Sequence, residues 1–195
     1  EYIDQYVINR KFYNAFNYSK FPEGYKHLNL TIRVTSASKG EGKTLVASNL
    51  AVSFALGYQK RTVLVDLNLR NPSIHKVFGA VSKPGLIESF NNGSIHLSQS
   101  KIDSLYVLSS GESKGEIIGL QNIIQLRDVI RTLEREFDFV VVDMASIYPV
   151  ENFPVLFVNE VDGLLAVIEA GKTTKEDLET IYHYVNEKQI IGYVF

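Results

Sequence analysis

The stretch Ser36-Ala37-Ser38-Lys39-Gly40-Glu41-Gly42-Lys43-Thr44 decides how the rest of the chain is read. It follows a short β-branched run, Ile32–Thr35, and leads into a helical pattern, Lys43–Leu56. In that pattern Val46, Leu50 and Phe54 fall on one face and Gly57 is a stop. From Ala37 onward the segment fits the phosphate-loop spacing, four residues and then Gly42-Lys43-Thr44. Gly40 and Gly42 let the backbone bend so that successive N–H groups face phosphate oxygens. Lys43 supplies a point charge for β- and γ-phosphates, and the Thr44 hydroxyl can ligate Mg²⁺. The amino end of the following helix adds its partial positive charge. Ser38, Lys39, Gly40, Glu41, Gly42, Lys43 and Thr44 are therefore the expected binding set for a nucleoside triphosphate.

Outward from this loop, β-branched runs alternate with longer helical patterns. Strands are expected at Ile32–Thr35, Thr62–Asp66, Leu105–Ser109, Phe139–Asp143, Leu164–Glu169 and Ile190–Val194. Further helices are expected at Gln121–Phe137, where the charges of Arg127–Glu136 read as a solvated face, and at Lys175–Glu187. The order predicts an α/β, P-loop NTPase fold: a mostly parallel sheet with helices on both faces. Thr62–Asp66 and Phe139–Asp143 are apolar at consecutive positions, as strands covered on both faces should be. Each ends in an Asp, at the sheet edge where open α/β folds bind ligands. Alone, such an Asp more often caps a helix or forms a turn. Two of them downstream of a phosphate loop point to a metal-nucleotide site, where a carboxylate holds Mg²⁺ or takes a proton from an attacking hydroxyl.

The bulk numbers bound the alternatives. The chain of 195 residues fits a single domain, 1–195, with the aromatic-rich residues 1–21 as a leading helical segment. Within that segment Tyr2, Tyr6 and Tyr13 stand near helical spacing. The net charge of -2 gives no global basic field, so nucleic acid is not an expected partner. With no cysteine there is no disulfide, thiolate metal site or thiol nucleophile. His27, His75, His96 and His183 lack metal-binding spacing, and no Gly-x-Ser-x-Gly elbow is present. No apolar run reaches the roughly 18 residues of a membrane span, and no signal peptide is expected. Because the sequence begins with Glu1, it reads as a piece of a longer chain that can carry a membrane segment upstream.

From about Pro22 to Phe195 the sequence resembles the bacterial tyrosine kinases (BY-kinases) of capsular and extracellular polysaccharide synthesis. The phosphate loop is similar to the family's Ser-x-x-Pro-Gly-Glu-Gly-Lys-Ser/Thr, with Lys39 in place of Pro. Asp66–Pro72 and His75 resemble its Asp-x-Asp-x-Arg-x-Pro-x-x-His motif, with Asn68 at the second Asp. Gly85-Leu86, Leu105–Leu108, Phe137–Asp143 and Ile190–Val194 also have counterparts. The resemblance implies ATP and Mg²⁺ as cofactors and transfer of the γ-phosphate to tyrosine, typically in a tyrosine-rich tail of a neighbouring subunit. By position, Lys43, Asp66 and Asp143 would be catalytic, with Asp66 as the base. Thr44, Asp66 and Asp143 would lie on the metal side. The implied partners are a membrane polysaccharide copolymerase or adaptor, fused or separate, and further copies of the chain. The implied location is the cytoplasmic face of the plasma membrane.

The departures form a pattern of their own. Met144-Ala145-Ser146 follows Asp143 where the family has Thr-Pro-Pro. A ring-assembly motif, Glu-x-x-Arg-x-x-Arg, is reduced to Glu23-x-x-Lys26-x-x-Asn29. No tyrosine cluster follows Tyr193, and Tyr182 and Tyr184 read as packing or surface residues of a helix. With Asn68, these changes lead to the expectation of a weakened kinase or an ATP-binding pseudokinase. Two rivals are a nucleotide-sensing scaffold and a septum-positioning or partition ATPase. The latter carries a signature lysine at the position of Ser38.

Overall fold

Runs of β-branched and aliphatic residues give the chain its sheet, and the interior strands are buried on both faces. The computed structural model describes residues 30–112, 120–148 and 163–195. In chain order the elements are β1 (Leu30–Ser36), α1 (Lys43–Val52), β2 (Thr62–Leu67), α2 (Ile74–Phe78), α3 (Leu86–Asn92), β3 (Ser98–Gln99) and β4 (Leu105–Leu108). They continue with α4 (Leu120–Glu136), β5 (Phe139–Met144), β6 (Gly163–Val167), α5 (Lys175–Tyr184) and β7 (Ile190–Val194). The strands form one seven-stranded sheet in the order β3-β4-β2-β5-β1-β6-β7. Every pairing is parallel except β3 with β4.

Strand alternation sends neighbouring residues into two separate cores. Val63, Val65, Val140, Val142, Leu164 and Ala166 pack with Leu126, Val129, Ile130 and Leu133 of α4 and Ile181 of α5. Ile32, Val34, Leu64, Val141, Leu165 and Val167 pack on the other side with Val46, Leu50 and Phe54, and with Ile74, Val77 and Phe78 of α2. Helices thus cover both faces, as the sequence implies. Asp66 shares its face with Leu64, and Asp143 shares its face with Val141. Both acids therefore fall on the α1 side, just beyond the last apolar layer.

The expected elements are present with shifted ends. β1 runs from Leu30 to Ser36 rather than from Ile32, and β6 stops at Val167, before Glu169. The first helix is regular to Val52 and finishes as a π-helical turn, Ser53–Gly57, ending on the expected glycine. The last helix stops at Tyr184, and Glu187–Gln189 forms a separate 3₁₀ turn. Helices α2 and α3 and strand β3 have no counterpart among the expected elements, because two to seven residues carry too little periodicity to read. On α4, Asp128, Arg131, Arg135 and Glu136 are exposed, the solvated face anticipated. Tyr184 packs against the core, while Tyr182 and Tyr193 are partly exposed with their hydroxyls 2.6 Å apart. The leading segment 1–21 and the Glu23-x-x-Lys26-x-x-Asn29 stretch lie outside the described residues. Among the described residues no helix is long and apolar enough to cross a membrane.

The join between α1 and the sheet rests on two stacked rings, Phe54 and Phe139, with centroids 3.8 Å apart and planes within 4°. Both are essentially fully buried. Truncating either leaves a cavity under the helix that carries the phosphate loop. Phe139→Ala is expected to cost about 3–5 kcal/mol of unfolding free energy. Urea denaturation followed by circular dichroism checks this, and a loss below about 1 kcal/mol would show that the layer can collapse around the gap.

Candidate functional site

The phosphate loop sits between the interior strand β1 and α1, so it opens at the carboxyl edge of the sheet. Gly40 and Gly42 adopt φ of +81° and +86°, a left-handed backbone in which a side chain would be strained. α1 begins at Lys43 with Gly42 as its cap residue, so its first N–H groups and dipole face the loop. Lys43 is folded back over its own loop. Its ammonium donates to Ser36 Oγ (3.0 Å) and to the Ser38 carbonyl (3.3 Å). Burial pulls its pKa below the ordinary lysine value, while the charges of Asp143 and Glu41 act in the opposite sense. Glu41 ties the loop down. It accepts from the Ser38 amide at 2.7 Å and from the Thr173 hydroxyl.

Asp66 and Asp143 face each other across the β2–β5 pairing, directly in register. Both are fully buried. The Thr44 hydroxyl donates to Asp143 Oδ2 at 2.6 Å, linking the first turn of α1 to β5. Among the described residues the other oxygen, Asp143 Oδ1, has no hydrogen-bond partner. Asp66 is fully engaged. Oδ1 accepts from the Asn68 amide (3.2 Å), and Oδ2 accepts from the amides of Ser73 (2.9 Å) and Ile74 (3.0 Å). It therefore anchors the segment between β2 and α2, the local role that a strand-end Asp often plays.

Beside these groups lies a cleft of about 460 Å³. Lys39, Gly40, Gly42, Lys43, Thr44 and Leu45 line one side, and Asn68, Arg70, Asn71, Ser73, Ala145 and Ser146 complete it. Lys39, Gly40, Gly42, Lys43 and Thr44 of the expected binding set thus meet at one opening, while Ser38 and Glu41 brace the loop. Asp143 lies beneath Thr44, and Asp66 is covered by the segment it anchors. Leu45, from the first turn of α1, and Asn71 and Ser73 line the cleft without having been singled out by type; the place of the last two depends on how the loop after β2 turns back. The oxygens that would hold a divalent cation are the Thr44 hydroxyl at the cleft and, buried behind it, the unpartnered Asp143 Oδ1. No cluster of three His, Cys, Asp or Glu side chains capable of holding a metal occurs among the described residues.

The two carboxylates also carry an electrostatic cost. Burial raises the pKa of Asp66 to about 6, against the pull of its three amide donors. Burial, then the charge of Asp66, raises Asp143 to about 7, opposed by Thr44 and Lys43. In the unfolded chain an Asp titrates near 3.9. Between about pH 4 and 7 the folded state therefore holds protons that the unfolded state has released, so this contribution to stability falls as pH rises through the window. In EDTA and without nucleotide, thermal stability is expected to decline from pH 5 to pH 8. Asp143→Asn, which keeps an acceptor for Thr44, should flatten that decline and melt higher than wild type at pH 8. A wild-type profile already flat over this range would contradict the assignment.

No family model matches the chain. It is 31% identical over 171 residues to the tyrosine-protein kinase CpsD of Streptococcus pneumoniae, covering 84% of this chain and 74% of CpsD. It is 28% identical over 158 residues to the succinoglycan biosynthesis transport protein ExoP of Rhizobium meliloti, covering 78% of this chain but only 20% of ExoP. Among solved structures, the kinase domain of VpsO superposes with a TM-score of 0.78 over 100% of this chain and 98% of that one, at 22% identity. The cell division ATPase MinD of Pyrococcus furiosus superposes over 86% of this chain and 72% of MinD, with a TM-score of 0.68 at 18% identity. These two structures share the fold with this chain. The identity to CpsD over most of both sequences goes further: the chain belongs to the family of bacterial tyrosine-protein kinases.

Proposed function

We propose that this domain binds Mg-ATP on its phosphate loop and serves polysaccharide synthesis or export, with its transfer of phosphate to tyrosine weakened. The observation that carries the binding half is that Lys43 and Thr44 line the cleft beside a glycine-bent loop, with Asp143 buried directly behind Thr44. The backbone amides of residues 40–44 and the Lys43 ammonium would take the phosphate oxygens. Thr44 and Asp143 would hold Mg²⁺, which when bound neutralises charge on the β- and γ-oxygens. Lys43 must exchange its contacts with Ser36 and Ser38 for phosphate, an exchange of one set of hydrogen bonds for stronger, charge-assisted ones.

The weakening rests on Asp66 and Asn68. A general base needs a free lone pair within reach of the hydroxyl it deprotonates. Asp66 already accepts three backbone N–H groups and has no exposed surface to meet a hydroxyl, so it can act only if the 68–74 segment shifts. Asn68 lines the cleft where the resemblance implies a second acid, and its amide cannot carry the negative charge that position would bring. The same facts favour a second reading, a nucleotide-sensing scaffold with no transfer at all. For the septum-positioning ATPases, Ser38 at the place of their lysine and the distant 18% identity give little support.

ExoP, a transport protein five times the matched length, supports a membrane copolymerase or adaptor as the partner, fused or separate. The reading places the domain at the cytoplasmic face of the membrane, in contact with further copies of itself and not with nucleic acid.

Incubation of the purified protein with Mg-ATP, followed by intact-mass measurement of phosphotyrosine, tests the proposal, with Lys43→Met as the control. Wild type is expected to bind ATP and to transfer phosphate at least about 100-fold below the ~1 s⁻¹ scale of working kinases. Asn68→Asp is expected to raise that rate. Turnover near the working scale that disappears in Lys43→Met would overturn the weakened reading. Absence of nucleotide binding would overturn the whole proposal.

A further inference from the structure

The loop between β6 and α5, residues 169–174, reads Glu-Ala-Gly-Lys-Thr-Thr. Strand β6 lies beside β1 with Val167 opposite Ser36, so both strands release their following loops side by side. The amides of Lys172 and Thr173 return to the Glu169 carbonyl at 3.0 and 2.9 Å, and Gly171 supplies the left-handed φ of +79° that the turn requires. Two side chains from this turn reach the phosphate loop. Thr173 places its hydroxyl on Glu41. Lys172 donates to the Lys39 carbonyl at 3.2 Å and to Glu169 Oε2 at 2.8 Å.

The Lys172 ammonium stands close over the glycine turn: a methyl group on Gly40 would lie 3.3 Å from Nζ. Gly40 itself lines the cleft. The Lys172 side chain is 47% exposed, so a solute can reach it. Lys172 and Lys39 both push the Lys43 pKa down, which means that three ammonium groups act on one short loop. The acids around them are largely committed: Glu41 has one oxygen on the Ser38 amide and the other on Thr173, and Asp143 Oδ2 is on Thr44. Glu169 remains as the counter-charge that holds Lys172. Mutual repulsion of the three cations is unfavourable, and attraction to a multiply charged anion lying among them would offset it.

We propose that Lys172 is a further nucleotide-binding residue, whose ammonium contacts the phosphate chain of a nucleotide seated on the phosphate loop. The inference rests on the reading of that loop as an ATP site and adds to it a residue from a different element, 129 positions after Lys43 by their numbers (172 against 43). The ammonium rests on the Lys39 carbonyl and Glu169. With nucleotide bound it keeps the neighbourhood of Gly40 and gains a phosphate oxygen, while the negative charge of Glu169 offsets part of the local excess.

Titration of the whole domain with a fluorescent ATP analogue and Mg²⁺, for wild type, Lys172→Met and Lys172→Arg, tests this. Lys172→Met is expected to weaken binding about tenfold, as the loss of one charge-assisted hydrogen bond should. Lys172→Arg should stay within about twofold of wild type, since it keeps both charge and donors. The gap between wild type and Lys172→Met should narrow between about 50 mM and 500 mM salt, because the ammonium is exposed to screening. Melting of the nucleotide-free variants should match wild type. Unchanged affinity in Lys172→Met, with wild type binding normally, would overturn the assignment. So would a loss that neither Arg nor salt alters, which would make Lys172 a staple for the loop. If wild type itself binds no nucleotide, the reading of the phosphate loop fails first and this inference with it.

Discussion

Burying two carboxylates next to each other is the constraint around which this end of the sheet is arranged. Parallel pairing of β2 with β5 puts Asp66 opposite Asp143, and the helices on either side exclude water from both. Such a pair is tolerable only if its surroundings supply compensating donors and positive charge. They do so in different ways. Asp66 receives three backbone amides from the segment it anchors. Asp143 receives the Thr44 hydroxyl, the field of Lys43 and the amino end of α1, and it retains one unpartnered oxygen. One acid is thereby spent on architecture, and the other is left with capacity for a ligand.

This division also explains how the departures from the family pattern fit together. Asn68 removes charge from the cleft at a place where its own amide already serves Asp66. Ser146 turns its hydroxyl onto the Tyr148 carbonyl, and the Ile147 and Tyr148 amides bond to Ser36 and Ala37. The chain after β5 is thus fastened to the start of the phosphate loop without the proline pair of the resemblance. The chain's own contacts hold the phosphate loop in place, while Asp66 and Asp143 are withdrawn into the fold.

Much of this was legible in the sequence, for reasons that can be named. Thr62–Asp66 and Phe139–Asp143 announce themselves because a strand buried on both faces needs apolar residues at every position. The phosphate loop was legible because its glycines, lysine and threonine are fixed by local geometry. What remained hidden is non-local. The engagement of Asp66 depends on amides up to eight residues later in a turn with no periodicity. The bracing of Glu41 depends on Thr173, 132 positions away, and no local pattern connects the two. Helix α2 has five residues, too few to show a face, yet its first amide, that of Ile74, sets the environment of the acid.

The folded-back posture of Lys43 has a calorimetric consequence. Its ammonium is already held by the Ser36 hydroxyl and the Ser38 carbonyl, so the outline of the loop is fixed from within. A nucleotide bound as proposed would replace those two partners of Lys43 with phosphate oxygen, so this side chain's share of the binding heat would be a difference between partners and not a full new bond. A loop held in this way needs no refolding of its rim for that exchange.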